Sequence, residues 1–250
     1  MIEKSNKLNL TTLPKAVREH INQLERIRRD FVGNVSHELR TPLTVIRGYL
    51  ETLLKKKNSE IKCYQKIFSQ MYQYSSRMEA TIDDLLLLSR LESDDHPPKE
   101  KVNVSVYEIL KILCADAKRI SAEKQHRITL EADTNLYVNG SEEELKSLFS
   151  NIIINAVKYT LAKGRIHVKW YSDDNHLVFS VSDTGIGIAK EHIPRITERF
   201  YRIDQARSRE SGGTGLGLAI VKHVLMRHQG DLHIESEPGQ GSTFTCRFPH

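Results

Sequence analysis

Apolar residues at Phe31, Val35, Leu39, Leu43, Ile46, Leu50 and Leu53 recur at steps of four and three. That spacing commits the stretch to an α-helix with one continuous apolar stripe. A second stretch, roughly 60–93, carries Met71, Ser75, Met78, Ile82 and Leu85 at alternating steps of four and three, the seam of a coiled coil. Between them Lys55-Lys56-Lys57-Asn58-Ser59 breaks the pattern and reads as a turn. Two long helices joined by a short turn make an antiparallel hairpin. A single hairpin leaves a broad apolar face uncovered, so two copies are expected to pack as a four-helix bundle, a homodimer.

The first helix carries a second message. At about 100° per residue, His37 lies nearly opposite the apolar stripe, where another macromolecule can reach its imidazole. Glu38 is its immediate neighbour, and Thr41 follows one turn along the same exposed side. Pro42 removes a backbone donor, so a bend is expected there. A nucleophile, a carboxylate able to orient it and a nearby hydroxyl thus share one accessible face.

Ahead of this helix, residues 1–27 read as an N-terminal linker helix. The first dozen are polar, Thr12 can cap a helix near Pro14, and Ala16 to Ile27 is helical in pattern and highly charged. The hairpin occupies 28–95. Asp94-Asp95-His96-Pro97-Pro98 closes it and marks a linker. A second domain is expected over 102–250. It reads as a helix over 105–121, strands near 127–132 and 136–139, a helix over 142–160, and strands over 164–171 and 176–182. A short helix near 190–196, an irregular basic loop, a helix over 215–229 and a hairpin of 231–237 with 242–248 complete it. That mixed order suggests helices on one face of a mixed sheet.

Four clusters in this second domain carry chemistry. Asn151, Asn155 and Lys158 share one face of a helix that continues into Tyr159, while Ile152, Ile153, Ile154 and Val157 can bury elsewhere. Asp183-Thr184-Gly185-Ile186-Gly187 directly follows a strand. Glu198-Arg199-Phe200-Tyr201-Arg202 leads into a polar loop bearing Arg207 and Arg209. Gly212-Gly213-Thr214-Gly215-Leu216-Gly217 opens a helix whose N-terminal donors suit phosphate oxygens. The last run is neither a Walker A loop nor a dinucleotide fingerprint: no Gly-Lys-Ser/Thr follows and no strand immediately precedes it.

These motifs resemble those of one family. His37-Glu38-Leu39-Arg40-Thr41-Pro42-Leu43 is similar, almost residue for residue, to the phosphoacceptor box of sensor histidine kinases, and the four clusters resemble the ATP site that those kinases share with gyrase, Hsp90 and MutL-type ATPases. The resemblance covers the chain from about Arg28 onward. It implies a helical-hairpin domain forming a dimeric four-helix bundle, followed by an α/β sandwich that binds ATP. It implies that His37 takes the γ-phosphoryl group with Glu38 assisting, and that the phosphoryl group passes to an aspartate on a response regulator receiver domain. Asn155 is then the Mg²⁺ ligand with Asn151 beside it, and Lys158 reaches a phosphate. Asp183 reads the exocyclic amine of adenine, a group that guanine replaces with a keto oxygen. Gly185 and Gly187 let the backbone approach the ring, and Arg199 and Arg202 contact phosphates from the hinge and lid. Gly213, Thr214, Gly215, Leu216 and Gly217 line the phosphate side, and Thr41 supports dephosphorylation of the regulator. Within the family, the run His192 to Arg202, Phe31-Val32-Gly33-Asn34-Val35 and Gly48-Tyr49-Leu50-Glu51 are most similar to phosphate-regulon sensors.

Composition narrows the alternatives. The formal charge of +5 could serve nucleic acid, but the arginines gather near the phosphate loops and no basic run is interleaved with aromatics, so no direct nucleic-acid binding is expected. The three cysteines are far apart and odd in number, which suggests a reducing compartment. No run of eighteen apolar residues and no signal-peptide core occur, so the chain as given is expected to be cytoplasmic. Sensor kinases usually carry membrane and sensing segments ahead of the phosphoacceptor helix. The chain is therefore expected to be either a fragment of an inner-membrane sensor or a kinase that has lost those segments. An ATP-driven conformational machine or a scaffold of the gyrase and Hsp90 class would explain the nucleotide clusters but leave the His37 box idle.

Overall fold

The structure, a computed structural model, describes residues 39–51, 61–92, 102–173, 175–203 and 214–250. His37 and Glu38, the 1–27 linker helix and the Lys55–Ser59 turn lie outside the described residues. The chain divides into two compact units, Met1–Glu79 and Ala80–His250, and the division falls inside a helix. Among the described residues no helix is long and apolar enough to cross a membrane.

In the first unit, helix α1 covers residues 39–51 and continues through Pro42. Helix α2 spans Ile61–Glu92 and reaches into the second unit. Leu43 and Leu50 on α1 and Phe68 and Tyr72 on α2 are exposed, Tyr72 by 75%. Of the seam expected along α2, Met71, Met78 and Leu85 are half-buried in the single chain. Ile67, Thr81, Leu88 and Leu91 are buried, whereas Ser75 and Ile82 are exposed. The apolar core of the second unit takes in Leu88 and Leu91 and so selects the face that the last turns of α2 bury.

The second unit is built on a five-stranded sheet of β2 (Arg127–Ala132), β4 (Arg165–Ser172), β5 (His176–Asp183), β7 (Gly241–Pro249) and β6 (Asp231–Glu237), in that spatial order. β2 runs parallel to β4 and the other pairs are antiparallel. Alternation decides what each strand buries: Ile166, Val168 and Trp170 from β4, Leu177, Phe179 and Val181 from β5, and Phe244, Cys246 and Phe248 from β7. Helices α3 (Val106–Ile120), α4 (Glu142–Tyr159) and α5 (Gly217–Arg227) contribute their apolar stripes to the same core. At its centre the Phe149 ring of α4 meets Phe179 edge-on with centroids 4.6 Å apart, and Phe248 at 6.3 Å.

Two elements differ from expectation. Val102–Ser105 forms a short strand, β1, paired antiparallel with β3 (Tyr137–Gly140). The alternation of Val102-Asn103-Val104-Ser105 is too short to specify a strand by itself, and the pairing with β3 makes it one. Residues 190–200 form successive turns instead of a helix. Bonds from His192 N–H to Ala189 O, Arg195 N–H to His192 O and Glu198 N–H to Arg195 O close them three residues apart. Pro194 has no N–H to offer a longer ladder.

Removing the Phe149 ring should be felt throughout the sheet. Phe149→Ala is expected to destabilise the second unit by about 3–5 kcal/mol, read as a lower urea midpoint. An unchanged midpoint would remove Phe149 from the centre of the core.

Candidate functional site

Helix α4 starts at Ser141, whose hydroxyl accepts from the Glu144 N–H, with Glu142, Glu143 and Glu144 suiting the positive end of the helix dipole. Leu145, Leu148, Phe149, Ile152, Ile153, Ala156 and Val157 face the sheet and the other helices. The remaining face holds Asn151, Asn155 and Lys158, all half-buried, and the exposed Tyr159. The Asn151 amide donates to Ser147 O at 3.0 Å. Its oxygen lies where a side chain on Gly217 would stand, so the start of α5 is pressed against the middle of α4.

Asp183 ends β5, paired in register with Ile166 and Ser242. Its Oδ1 accepts from the Gly185 N–H at 2.7 Å. Burial pushes its carboxyl above its ordinary value, and the backbone N–H groups of Gly185 and Ser242 pull partly back. The loop that follows is tied on two sides. Ile186 N–H donates to Tyr159 O at 3.2 Å, at the end of α4, and Ile186 O accepts from Gly239 N–H at 2.8 Å, in the β6–β7 turn. Ile188 N–H reaches the Ser236 hydroxyl at 2.8 Å.

The hinge is held by its backbone. Phe200 adopts a φ of 61°, a left-handed conformation that costs a non-glycine residue about 1–3 kcal/mol. Its N–H donates to Gly215 O at 2.8 Å, which fastens residues 199–202 to the loop before α5. Tyr201 bonds His192 Nδ1 through its hydroxyl at 2.8 Å, and the Arg195 guanidinium lies over its ring. Arg199 and Arg202 are half-buried. The Thr214 hydroxyl accepts from the Leu216 N–H at 3.2 Å, and no side chain caps the start of α5. Gly213, Arg207 and Arg209 lie outside the described residues.

One feature of this region was invisible in the sequence. The last turns of α2, residues 80–92, bring carboxylates to the hinge and to the loop before α5. Asp84 accepts from the Thr214 hydroxyl at 3.3 Å. Burial raises its carboxyl above the ordinary value, while Thr214 and the Lys158 charge oppose that. Glu92 pairs with Arg199 and stands 3.2 Å from His223 Nε2, and Arg227 donates to Arg90 O at 3.1 Å. Burial holds His223 below its ordinary value; Glu92 works against this, and Arg199 and Lys222 add to it. A helical repeat identifies a face, but not a partner more than a hundred residues away.

Of the expected site residues, the structure brings Gly217 against Asn151 and the Asp183–Ile186 loop against Tyr159 on α4, joins the hinge at Phe200 to Gly215, sets Gly187 against the β6–β7 turn and pairs Arg199 with Glu92 of α2. Thr41 is exposed on α1.

Residues 27–94 match the His Kinase A (phospho-acceptor) domain, and residues 140–250 match the histidine kinase-, DNA gyrase B-, and HSP90-like ATPase family. The chain is 52% identical over 228 residues to the phosphate regulon sensor protein PhoR of Pseudomonas aeruginosa, covering 91% of this chain and 51% of that protein. It spans about half the length of that relative and of the PhoR of Haemophilus influenzae, to which it is 37% identical over 89% of this chain. Among solved structures, the histidine kinase ThkA in complex with the response regulator TrrA aligns with a TM-score of 0.70 at 19% identity, covering 95% of this chain and 67% of that one.

The raised Asp183 carboxyl makes a stability prediction with a definite sign. A carboxyl whose folded pKa exceeds its unfolded one favours the folded state only when protonated, so the ionised form costs stability at neutral pH and the cost fades as pH falls through the folded pKa. Asp183→Asn keeps an oxygen for the Gly185 N–H and removes the charge. In nucleotide-free protein it should raise the thermal midpoint at pH 7, and the gap should close towards about pH 4. A lower midpoint for the variant at pH 7 would contradict this account.

Proposed function

This chain belongs to the sensor histidine kinases of two-component systems, and we propose that it phosphorylates its own His37 from ATP and passes the phosphoryl group to an aspartate of a response regulator. The observation that carries the reading is that the Asp183 loop and the start of α5 both meet α4 while the hinge fastens to the loop before α5, in a chain that also holds an intact phosphoacceptor box. We propose domain limits of 28–95 for dimerisation and phosphotransfer and 102–250 for catalysis, following the 1–27 linker.

The residues present fit ATP and Mg²⁺ by the chemistry of their donors. Asn155 offers an amide oxygen of the kind hard cations accept, with Asn151 beside it. Lys158, Arg199 and Arg202 offer cationic donors for phosphates, and the uncapped start of α5 with Thr214 to Gly217 offers N–H groups. Mg²⁺, when bound, neutralises phosphate charge. Asp183 selects adenine by accepting from its exocyclic amine, and the ties from Ile186 to Tyr159 and Gly239 hold its loop in register. A ring nitrogen of His37 attacks the γ-phosphorus, the bond from that phosphorus to the β–γ bridging oxygen breaks and ADP leaves, while Glu38 orients the imidazole and draws on its proton.

Partners follow from the same reading. The exposed Leu43, Leu50, Phe68 and Tyr72 supply an apolar face for a second copy, which supports a homodimer. The fold shared with a kinase solved beside its response regulator supports a receiver domain as the acceptor. The 52% identity to the P. aeruginosa phosphate regulon sensor supports a place in phosphate-regulon signalling. Thr41, exposed one turn from His37, is assigned to positioning water during dephosphorylation of the regulator.

The direct test is incubation with γ-labelled ATP. The label should be acid-labile and alkali-stable, as a phosphoramidate is, and His37→Gln should abolish it while ATP affinity stays within a few-fold. Acid-stable label, or label surviving in the variant, would refute the assignment. Thr41→Ala should leave labelling intact but slow phosphate release from the regulator about tenfold. Equal decay with both proteins would remove Thr41 from the mechanism.

A further inference from the structure

The end of α4 poses an accounting problem. The last carbonyls of a helix have no intrahelical partner, and buried ones must find donors elsewhere. Here every carbonyl from Val157 to Leu161 is taken. The Lys124 ammonium donates to Val157 O at 3.0 Å, Lys158 O at 2.8 Å and Thr160 O at 3.2 Å. That uses all three of its protons. His126 Nε2 stands 3.2 Å from Thr160 O and 3.1 Å from Leu161 O, and must donate because carbonyls only accept. Leu161 O also takes the Gly164 N–H at 3.0 Å.

The carbonyl that Lys124 and His126 leave open is Tyr159 O. It accepts the Ile186 N–H from the loop that follows Asp183. The fit is close: a Cβ on Gly185 would stand 2.6 Å from Tyr159 O and 2.6 Å from Asp183 Oδ1. The Tyr159 peptide, Gly185 and the Asp183 carboxylate are therefore stacked without slack. A change in the tilt of that peptide must move the loop. Its neighbours on both sides, Lys158 O and Thr160 O, are the ones the ammonium grips.

Lys124 is itself well placed to hold still. It ends the 3-10 turn Ala122–Lys124, and Gln125 after it has a φ of 55°. Its own carbonyl accepts from Lys163 N–H at 2.7 Å, which closes the segment onto the chain leaving α4. A cation at a helix C-terminus also meets the negative end of the dipole.

We propose that Lys124 is a positioning residue for nucleotide recognition: by clamping the C-terminal carbonyls of α4, it orients the Tyr159 peptide and through it the adenine-reading loop of Asp183 to Ile186. This rests on the assignment of Asp183 to the adenine amine. Lys124 touches no nucleotide. It acts on binding and base selection, and leaves the transfer of the phosphoryl group to other residues.

The test compares ATP and GTP binding by calorimetry, and ATP dependence of autophosphorylation, in wild type, Lys124→Met, Lys124→Gln and Lys124→Arg. Lys124→Met should raise the KM for ATP about tenfold, as for the loss of charge-assisted hydrogen bonds, and shrink the preference for ATP over GTP. The rate at saturating ATP should stay within about twofold. Lys124→Arg, which keeps charge and donors, should recover most of the affinity, and Lys124→Gln should fall between. If Lys124→Met does not fold, the order Lys, Arg, Gln decides alone. A variant with a lower thermal midpoint but wild-type KM and base preference would overturn the proposal, as would a loss confined to the saturated rate. Asp183→Asn in the same assays separates the two claims. If it leaves ATP affinity unchanged, the site assignment fails and this inference with it. If it weakens ATP binding while the Lys124 variants do not, this inference alone fails.

Discussion

Burial of one side of α4 is the constraint on which the second unit depends. Phe149, Ile152, Ile153 and Val157 can leave water only by packing on the inward residues of β4, β5 and β7, and that packing fixes the helix in rotation as well as in place. Asn151, Asn155 and Lys158 then have a single direction left to face. The strand that receives Phe149 is also the strand that ends in Asp183, since Phe179 and Asp183 are both on β5. One packing contact therefore links the position of Asn155 and Lys158 to that of Asp183.

The site carries local costs that the core offsets. Asp183 is held in a partly buried position that disfavours its charge. Phe200 holds a left-handed backbone so that its N–H can meet Gly215. Neither would persist in an isolated loop. They persist because β5 and β7 pin Asp183 in register and because the hinge is fastened to the start of α5, which is itself anchored by the buried Leu216, Ile220 and Val224.

Helix α2 connects this unit to the rest of the chain in a physical sense. Its apolar residues Leu88 and Leu91 belong to the core of the second unit, and its carboxylates Asp84 and Glu92 engage Thr214, Arg199 and His223. The Thr214 hydroxyl has one proton, and in this conformation it goes to Asp84. The face of α2 that is buried is thus decided by the unit it reaches into and not by its own repeat alone.

Local patterns were enough to read most of the architecture. Helical periodicity identified α2 and α4, alternation identified β4 and, around the buried Val178, β5, and Pro238-Gly239-Gln240-Gly241 marked the final turn. The glycine-bearing clusters and the His37 box pointed to the family, because each packs its signal into a few consecutive residues. What escaped was decided by contacts distant along the chain. Val102–Ser105 is a strand only beside β3, and residues 190–200 are turns because Pro194 interrupts the ladder. Leu88 and Leu91 of α2 joined a core that the repeat could not announce. Lys124 looked like one lysine among many. Its role arose only when folding brought it against the unsatisfied carbonyls of a helix end more than thirty residues away. Sequence specifies a residue's donors and its local conformation; which acceptors they meet is settled by tertiary packing.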